Sequence, residues 1–266
     1  MLVIFSNILA IYRKELQGYF ASPLAYTIAG IFWLLTGYFF VAILLGPEGL
    51  IQQVAYRDQL GLTDPPIDLP YEFLQVFLRL MGTMSLFVLP MLSMGLYAEE
   101  RKRGTLELLA TSPITNWGVA TGKLLGVLTF YITMVLPLMA LQAIALSVAT
   151  PPMSPAILLV SHLGLILLAA GVLSLGMFIS SLTDSTLLSA ILTFAVVLFL
   201  WVMDLIGSVV GGVVGSALTH LSLISNYTNL VQGVIDLSSL VLFASYVILG
   251  VFLTAQSIDA FRFQRS

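Results

Sequence analysis

Cysteine is absent from this chain of 266 residues, which excludes disulfides, thiolate nucleophiles and cysteine-ligated metal. Histidine is nearly absent too. His162 and His220 lie far apart in sequence, so a paired-histidine zinc site is not expected. Charge is scarce: Asp, Glu, Lys and Arg make up 9% of the chain, against about 25% in an average soluble domain. With 59% of its residues hydrophobic, the chain reads as an integral membrane protein. No extended basic run suggests nucleic acid as a partner, and membrane lipid takes that place. A phosphate-cradling loop is missing as well. TGKLLG at 121–126 has Trp117 where a Walker A motif needs glycine, and Leu124 where it needs Ser or Thr. Gly118, Gly122 and Gly126 read instead as one face on which another helix packs. No HExxH motif and no Ser, His and Asp sharing one loop are present, so no catalytic, cofactor-binding or metal-binding residue is assigned. Arg13, Lys14 and Glu15 follow the first apolar residues with no small-residue cleavage site, so a cleavable signal is not expected.

What is present is a set of long apolar runs, which predict one all-α transmembrane domain over 1–266 with six spans. Residues 3–20 are too polar to span. Ile4, Ile8, Ile11, Tyr12 and Tyr19 recur at helical spacing with Arg13 and Lys14 largely on other faces, as in an amphipathic helix lying in the interface over 1–22. The spans are expected at 24–45, 74–97, 117–148, 156–181, 187–206 and 238–258. Between the first two lies the longest polar loop, 46–72, acidic apart from Arg57. Residues 207–236 read as a short hairpin dipping partly into the membrane, with Gly207, Gly211 and Gly215 forming a close-packing face. Asp204 lies near the end of the fifth span, and His162 near the end of the fourth, where packing or hydrogen bonding explains it better than proton transfer. With six spans, Arg13, Lys14, Arg101, Lys102, Arg103, Lys123, Arg262 and Arg265 share one side, leaving Arg57 and Arg79 opposite. The positive-inside rule then puts both termini in the cytoplasm of a plasma (inner) membrane protein, with the 46–72 loop and the hairpin outside.

The stretch Tyr97 to Lys123 carries dense charge of both signs between two spans. After Glu99, Glu100, Arg101, Lys102 and Arg103, Gly104 loosens the backbone. Thr105 suits an N-cap, and Glu107 falls in the first turn, where a carboxylate favours the positive helix end. Leu106, Leu108 and Leu109 give about two turns of helix an apolar face before Ser112-Pro113 ends it. Charge alone makes 98–117 a flank that sets topology. The leucines add a second reading, a helix that docks a partner.

Two segments together resemble the ABC-2 type transporter permeases. YRKELQGYFASPLAY at 12–26 is similar to that family's N-terminal elbow helix, and EERKRGTLELLATSPI at 99–114 to its first cytoplasmic loop. SNYTNLVQGVIDLSSLVLF at 225–243 resembles the outer hairpin before the sixth span. The resemblance implies a non-catalytic, six-span exporter subunit. It would pair with a second permease chain, identical or related, and with cytoplasmic ABC ATPase subunits that bind ATP and Mg. It assigns coupling contacts to Glu99, Arg101, Gly104, Thr105, Glu107, Leu108 and Leu109, supported from the elbow by Arg13, Lys14 and Glu15. An ion-coupled secondary transporter would need midplane charges, and a scaffold or lipid-modifying enzyme a polar cluster at one interface.

Overall fold

A computed structural model describes residues 2–62, 67–106, 114–149 and 153–263, and within these every regular element is helical. Helix α1 spans Leu2–Ala21 and α2 Pro23–Leu45. Ser22 separates them: its Oγ accepts the Ala25 amide, and Pro23 fills the first helical position, where no N–H is needed. Then come α3, Leu50–Gln59, and α4, Leu69–Ser93, capped by Asp68 on the Tyr71 amide. After them stand α5, Ala98–Lys102, and α6, Asn116–Ser147, capped by Thr115. The chain continues as α7, Pro155–Leu182, α8, Thr186–Val210, α9, Gly212–Leu221, and α10, Leu223–Val231, and ends in α11, Leu237–Phe263.

Six of these segments are long and apolar enough to cross a membrane, so the chain is an all-α multi-pass membrane protein. The expected span boundaries fall within a few residues of α2, α4, α6, α7, α8 and α11. Pro90 and Pro137 sit inside α4 and α6 without ending them.

Helix α7 is the axis of the bundle and touches α4, α6, α8, α10 and α11. Its position follows from its sequence: small residues from Ser161 to Ser181 let neighbours approach on every face, and Leu165, Leu168, Val172 and Leu173 are fully buried. Tyr227 of α10 packs over Gly82 of α4 and donates to the Leu78 carbonyl at 2.6 Å, fixing the short helices onto the spans.

Two regions differ from the sequence expectation. The 46–72 stretch contains α3, a helix with no buried residue, which its polar composition concealed. Gly207, Gly211 and Gly215 do not line one continuous face. Gly211 and Gly212 both have positive φ, at 63° and 62°, and turn the chain back on itself. With ψ of −174°, Gly211 occupies a backbone region open essentially to glycine alone. Gly207 and Gly215 then meet across the turn. A Cβ on Gly207 would come within 2.7 Å of the Gly215 carbonyl oxygen, whereas one on Gly211 meets nothing within 4 Å. Close packing therefore belongs to Gly207 and Gly215, and reversal to Gly211.

Candidate functional site

The charged residues gather at one end of the bundle because α1 lies along α6. A Cβ on Gly122 would stand 2.9 Å from Ile11 Cβ, and one on Gly126 would stand 2.8 Å from Glu15 Cβ, so the glycine stripe of α6 is the bed for Ile8, Ile11 and Glu15. Tyr19 and Phe20 close the contact against Phe130, with ring centroids 5.2 and 5.4 Å away. The Tyr19 hydroxyl donates to the Leu92 carbonyl at 2.5 Å, tying α1 to α4. Burial pushes the Tyr19 phenol well above its ordinary pKa, and the Glu15 and Glu99 carboxylates push it further.

Lys123 stands at the centre of this end, 3% exposed, about two turns into α6. Its ammonium donates to Glu15 Oε2 at 3.1 Å and to the Leu96 carbonyl at 2.7 Å, and forms an ion pair with Glu100 Oε1 at 3.1 Å. The Tyr97 ring lies 5.0 Å from the nitrogen. Lys14 reaches the same Glu100 Oε1 at 3.5 Å from the solvent side. One buried cation thus joins the N-terminal helix, the segment after α4 and the start of α6. The sequence offered a faint sign of this, a single lysine inside a glycine-spaced apolar face, but nothing that named its partners.

The segment after α4 is fixed to α7 by one hydroxyl. Ser180 Oγ accepts from the amides of Tyr97 and Ala98, both at 3.0 Å, and donates to the Met94 carbonyl at 2.8 Å. Arg101 Nη1 donates to the Ser181 carbonyl at 3.0 Å. Helix α5 then ends in a Schellman motif: Gly104, at φ 70°, donates to the Arg101 carbonyl, and Thr105 N–H donates to the Glu100 carbonyl. At the opposite corner, Asn116 donates to Asp259 of α11 at 2.6 Å.

Of the residues singled out in the sequence, Glu15, Lys14 and Arg101 enter this network, and Arg13 is exposed beside it. Glu99 forms an exposed pair with Arg103 at 3.7 Å. Gly104 is the helix stop described above, and the Thr105 hydroxyl bonds back to the Glu100 carbonyl at 3.2 Å. Leu106, expected on an exposed face, is 2% exposed and belongs to the core. Glu107, Leu108 and Leu109 lie outside the described residues. Glu100 and Lys123, the two pivots of the network, stand in the sequence only as members of the charged flank, with no role of their own. Asp204 is half-buried, and His162 is buried with Nδ1 2.8 Å from the Leu158 carbonyl. Among the described residues no three of His, Asp and Glu are grouped to hold a metal ion.

A family model described as ABC-2 family transporter protein matches residues 9–266. No curated protein matches the chain.

Proposed function

The chain belongs to the ABC-2 family of transporter proteins, and from that premise we propose that it is the membrane-spanning subunit of an ATP-driven exporter whose hydrolytic work is done by separate ATPase subunits. In this reading α1 is the elbow, 99–113 is the coupling segment, and α9 and α10 form the outer hairpin. The observation that carries it is the Lys123 junction. A cation held at once by Glu15 of α1 and Glu100 of α5 makes the N-terminal helix and the segment between α4 and α6 one mechanical unit. A push on that segment would move α1 and α6 together and tilt the spans above them. Arg13 and Lys14 sit on the exposed flank of the same unit, where an elbow meets headgroups and an ATPase rim. A second permease chain, identical or related, would complete the translocation path between two such bundles, with ATP and Mg bound by the partner ATPases. In this reading the end rich in basic residues lies in the cytoplasm, and both termini with it, as the positive-inside rule expects.

The test is the ATPase activity that co-purifies with the tagged chain from its own membranes. Burying one leucine in a partner groove is worth about 1.5–3 kcal/mol, and about 1.4 kcal/mol is a tenfold change in affinity. Leu108→Asp loses that burial and adds an unpaired charge, so it lowers the retained ATPase at least about tenfold while the chain still inserts. Arg103→Ala, which breaks only an exposed pair, changes it little. Full retention by Leu108→Asp would leave 99–113 as a flank that only sets topology.

A further inference from the structure

One cation stands on the outside of a span, away from the charged pole. Arg79 is exposed on α4, seven residues and about 10 Å further in than Glu72, the last acid of the 46–72 stretch. Met81 is the middle residue of Leu69–Ser93, and Arg79 stands two residues before it. With a hydrocarbon layer about 30 Å thick, that position lies inside the bilayer. Arg79 belongs to a stripe, since Glu72, Gln75, Arg79 and Thr83 follow one another at helical spacing down one side of α4. Glu72 and Arg79 are exposed, and Gln75 and Thr83 half-buried. The outside of α8 is different. Every exposed position from Leu187 to Phe199 is apolar there, as a face laid against lipid should be.

A charged side chain at this depth is expensive, and such residues face a water-filled space or a partner rather than lipid. Arg79 Nη2 donates to Gln75 Oε1 at 3.0 Å, and no carboxylate among the described residues pairs with it. A guanidinium carries five N–H donors in a planar fork, which can hold a carboxylate, sulfonate or phosphate through two parallel bonds. We infer that the Arg79 face of α4 lines the aqueous translocation path, and that Arg79 receives the anionic group of the transported substrate. This rests on the proposed pairing of two permease chains. A second copy, related by a two-fold axis along the membrane normal, would bring its own Arg79 to the same depth across the path. Two guanidiniums facing each other repel, and an anion between them turns that repulsion into attraction, whereas a cation adds to it. The phosphate of a lipid headgroup offers the same chemistry in a different place. It would hold Arg79 at the leaflet surface and leave Thr83, one turn deeper, in hydrocarbon.

The experiment needs no ATP hydrolysis, so it stays readable even if 99–113 proves not to be an ATPase dock. Thr83→Cys is introduced into the full chain, which has no other cysteine, and its own membranes are opened to expose both sides. The Thr83 hydroxyl bonds only within its own helix, to the Arg79 carbonyl at 3.0 Å, so the change is mild. Two water-soluble methanethiosulfonates are compared, one carrying ethylsulfonate and the other ethyltrimethylammonium. Thr83→Cys is expected to react with both, and Ile191→Cys on the apolar outside of α8 with neither. Adding Arg79→Gln lowers the ratio of sulfonate to trimethylammonium rates about tenfold, the Coulombic difference between an anion and a cation one helical turn from a guanidinium in water. Arg79→Lys keeps the ratio. Octane-1-sulfonate, below its micelle concentration, slows modification by the trimethylammonium reagent only while Arg79 is present, and octyltrimethylammonium does not slow it. Val76→Cys, exposed on the same face, repeats the measurement of the ratio should Thr83→Cys fail to insert. A Thr83→Cys chain that inserts and reacts with neither reagent would mean that Arg79 reaches only lipid phosphate, which overturns the inference. A rate ratio indifferent to Arg79→Gln overturns it too, as does equal protection by the two octyl probes.

Discussion

At the scale of single residues, Lys123 shows how a buried ion can be more costly to remove than it was to place. The charge itself gains little over an apolar substitute, because desolvation offsets most of the Coulombic attraction. Taking it away is another matter, since Glu15, at 17% exposure, would lose its ion-pair partner and Glu100, at 16%, would keep only the exposed Lys14. Lys123→Met is therefore expected to destabilise the protein by about 3–5 kcal/mol, read as a lowered midpoint of thermal aggregation in detergent. Adding Glu15→Gln and Glu100→Gln to the same chain recovers most of that loss. A Lys123→Met protein as stable as the parent would mean that water, and not the two carboxylates, is the ammonium's real partner. Composition could not have announced this site. A lysine in an apolar run signals expense, but which acids lie within 3.1 Å depends on α1 settling into the glycine groove of α6.

At the scale of elements, the spans were legible and their connections less so. Long apolar runs ended by Ser22-Pro23, Ser154-Pro155 or Ser185 mark their own limits, because each carries a helix start chemically. Helix α3 was hidden because its apolar side is short: Leu50 and Val54 stand at helical spacing, but Gln52, Gln53, Arg57, Asp58 and Gln59 dominate its ten residues. The glycines at 207, 211 and 215 were visible, but four-residue spacing suits a packing face and a hairpin equally, and only φ separates the two. That difference predicts distinct damage. Gly207→Leu wedges α8 from α9 against the Gly215 carbonyl, so the amides of Gly212–Leu221 should exchange with deuterium at least about tenfold faster. Gly211→Ala meets no atom and suffers only backbone strain, about 1–3 kcal/mol, which lowers stability without prising the two helices apart. Equal exchange in α9 for the Gly207→Leu and parent proteins would show that the contact across the turn contributes nothing.

At the scale of the whole molecule, the contacts themselves bring both chain ends to one pole: Glu15 of α1 meets Lys123, and Asp259 of α11 meets Asn116. The orientation of that pole is open to direct measurement, since a chain without cysteine gives thiol labelling a clean background. A cysteine replacing Glu48, exposed between α2 and α3, is expected to react with an impermeant maleimide on intact cells, and one replacing exposed Lys102 only after the membrane is broken. The reverse pattern would turn the protein over. The same pole holds a joint with an unusual division of parts. Between Met94 and Tyr97 the regular helix gives way to turns, and the loose carbonyl on one side and the two loose amides on the other are all gathered by Ser180, a residue from a different helix. Such a joint behaves like a hinge pin borrowed from the frame. The arm beyond it cannot swing on its own post without dragging the frame's pin, so force applied below is delivered to α7, the central column, before it reaches the helix to which the arm is covalently attached.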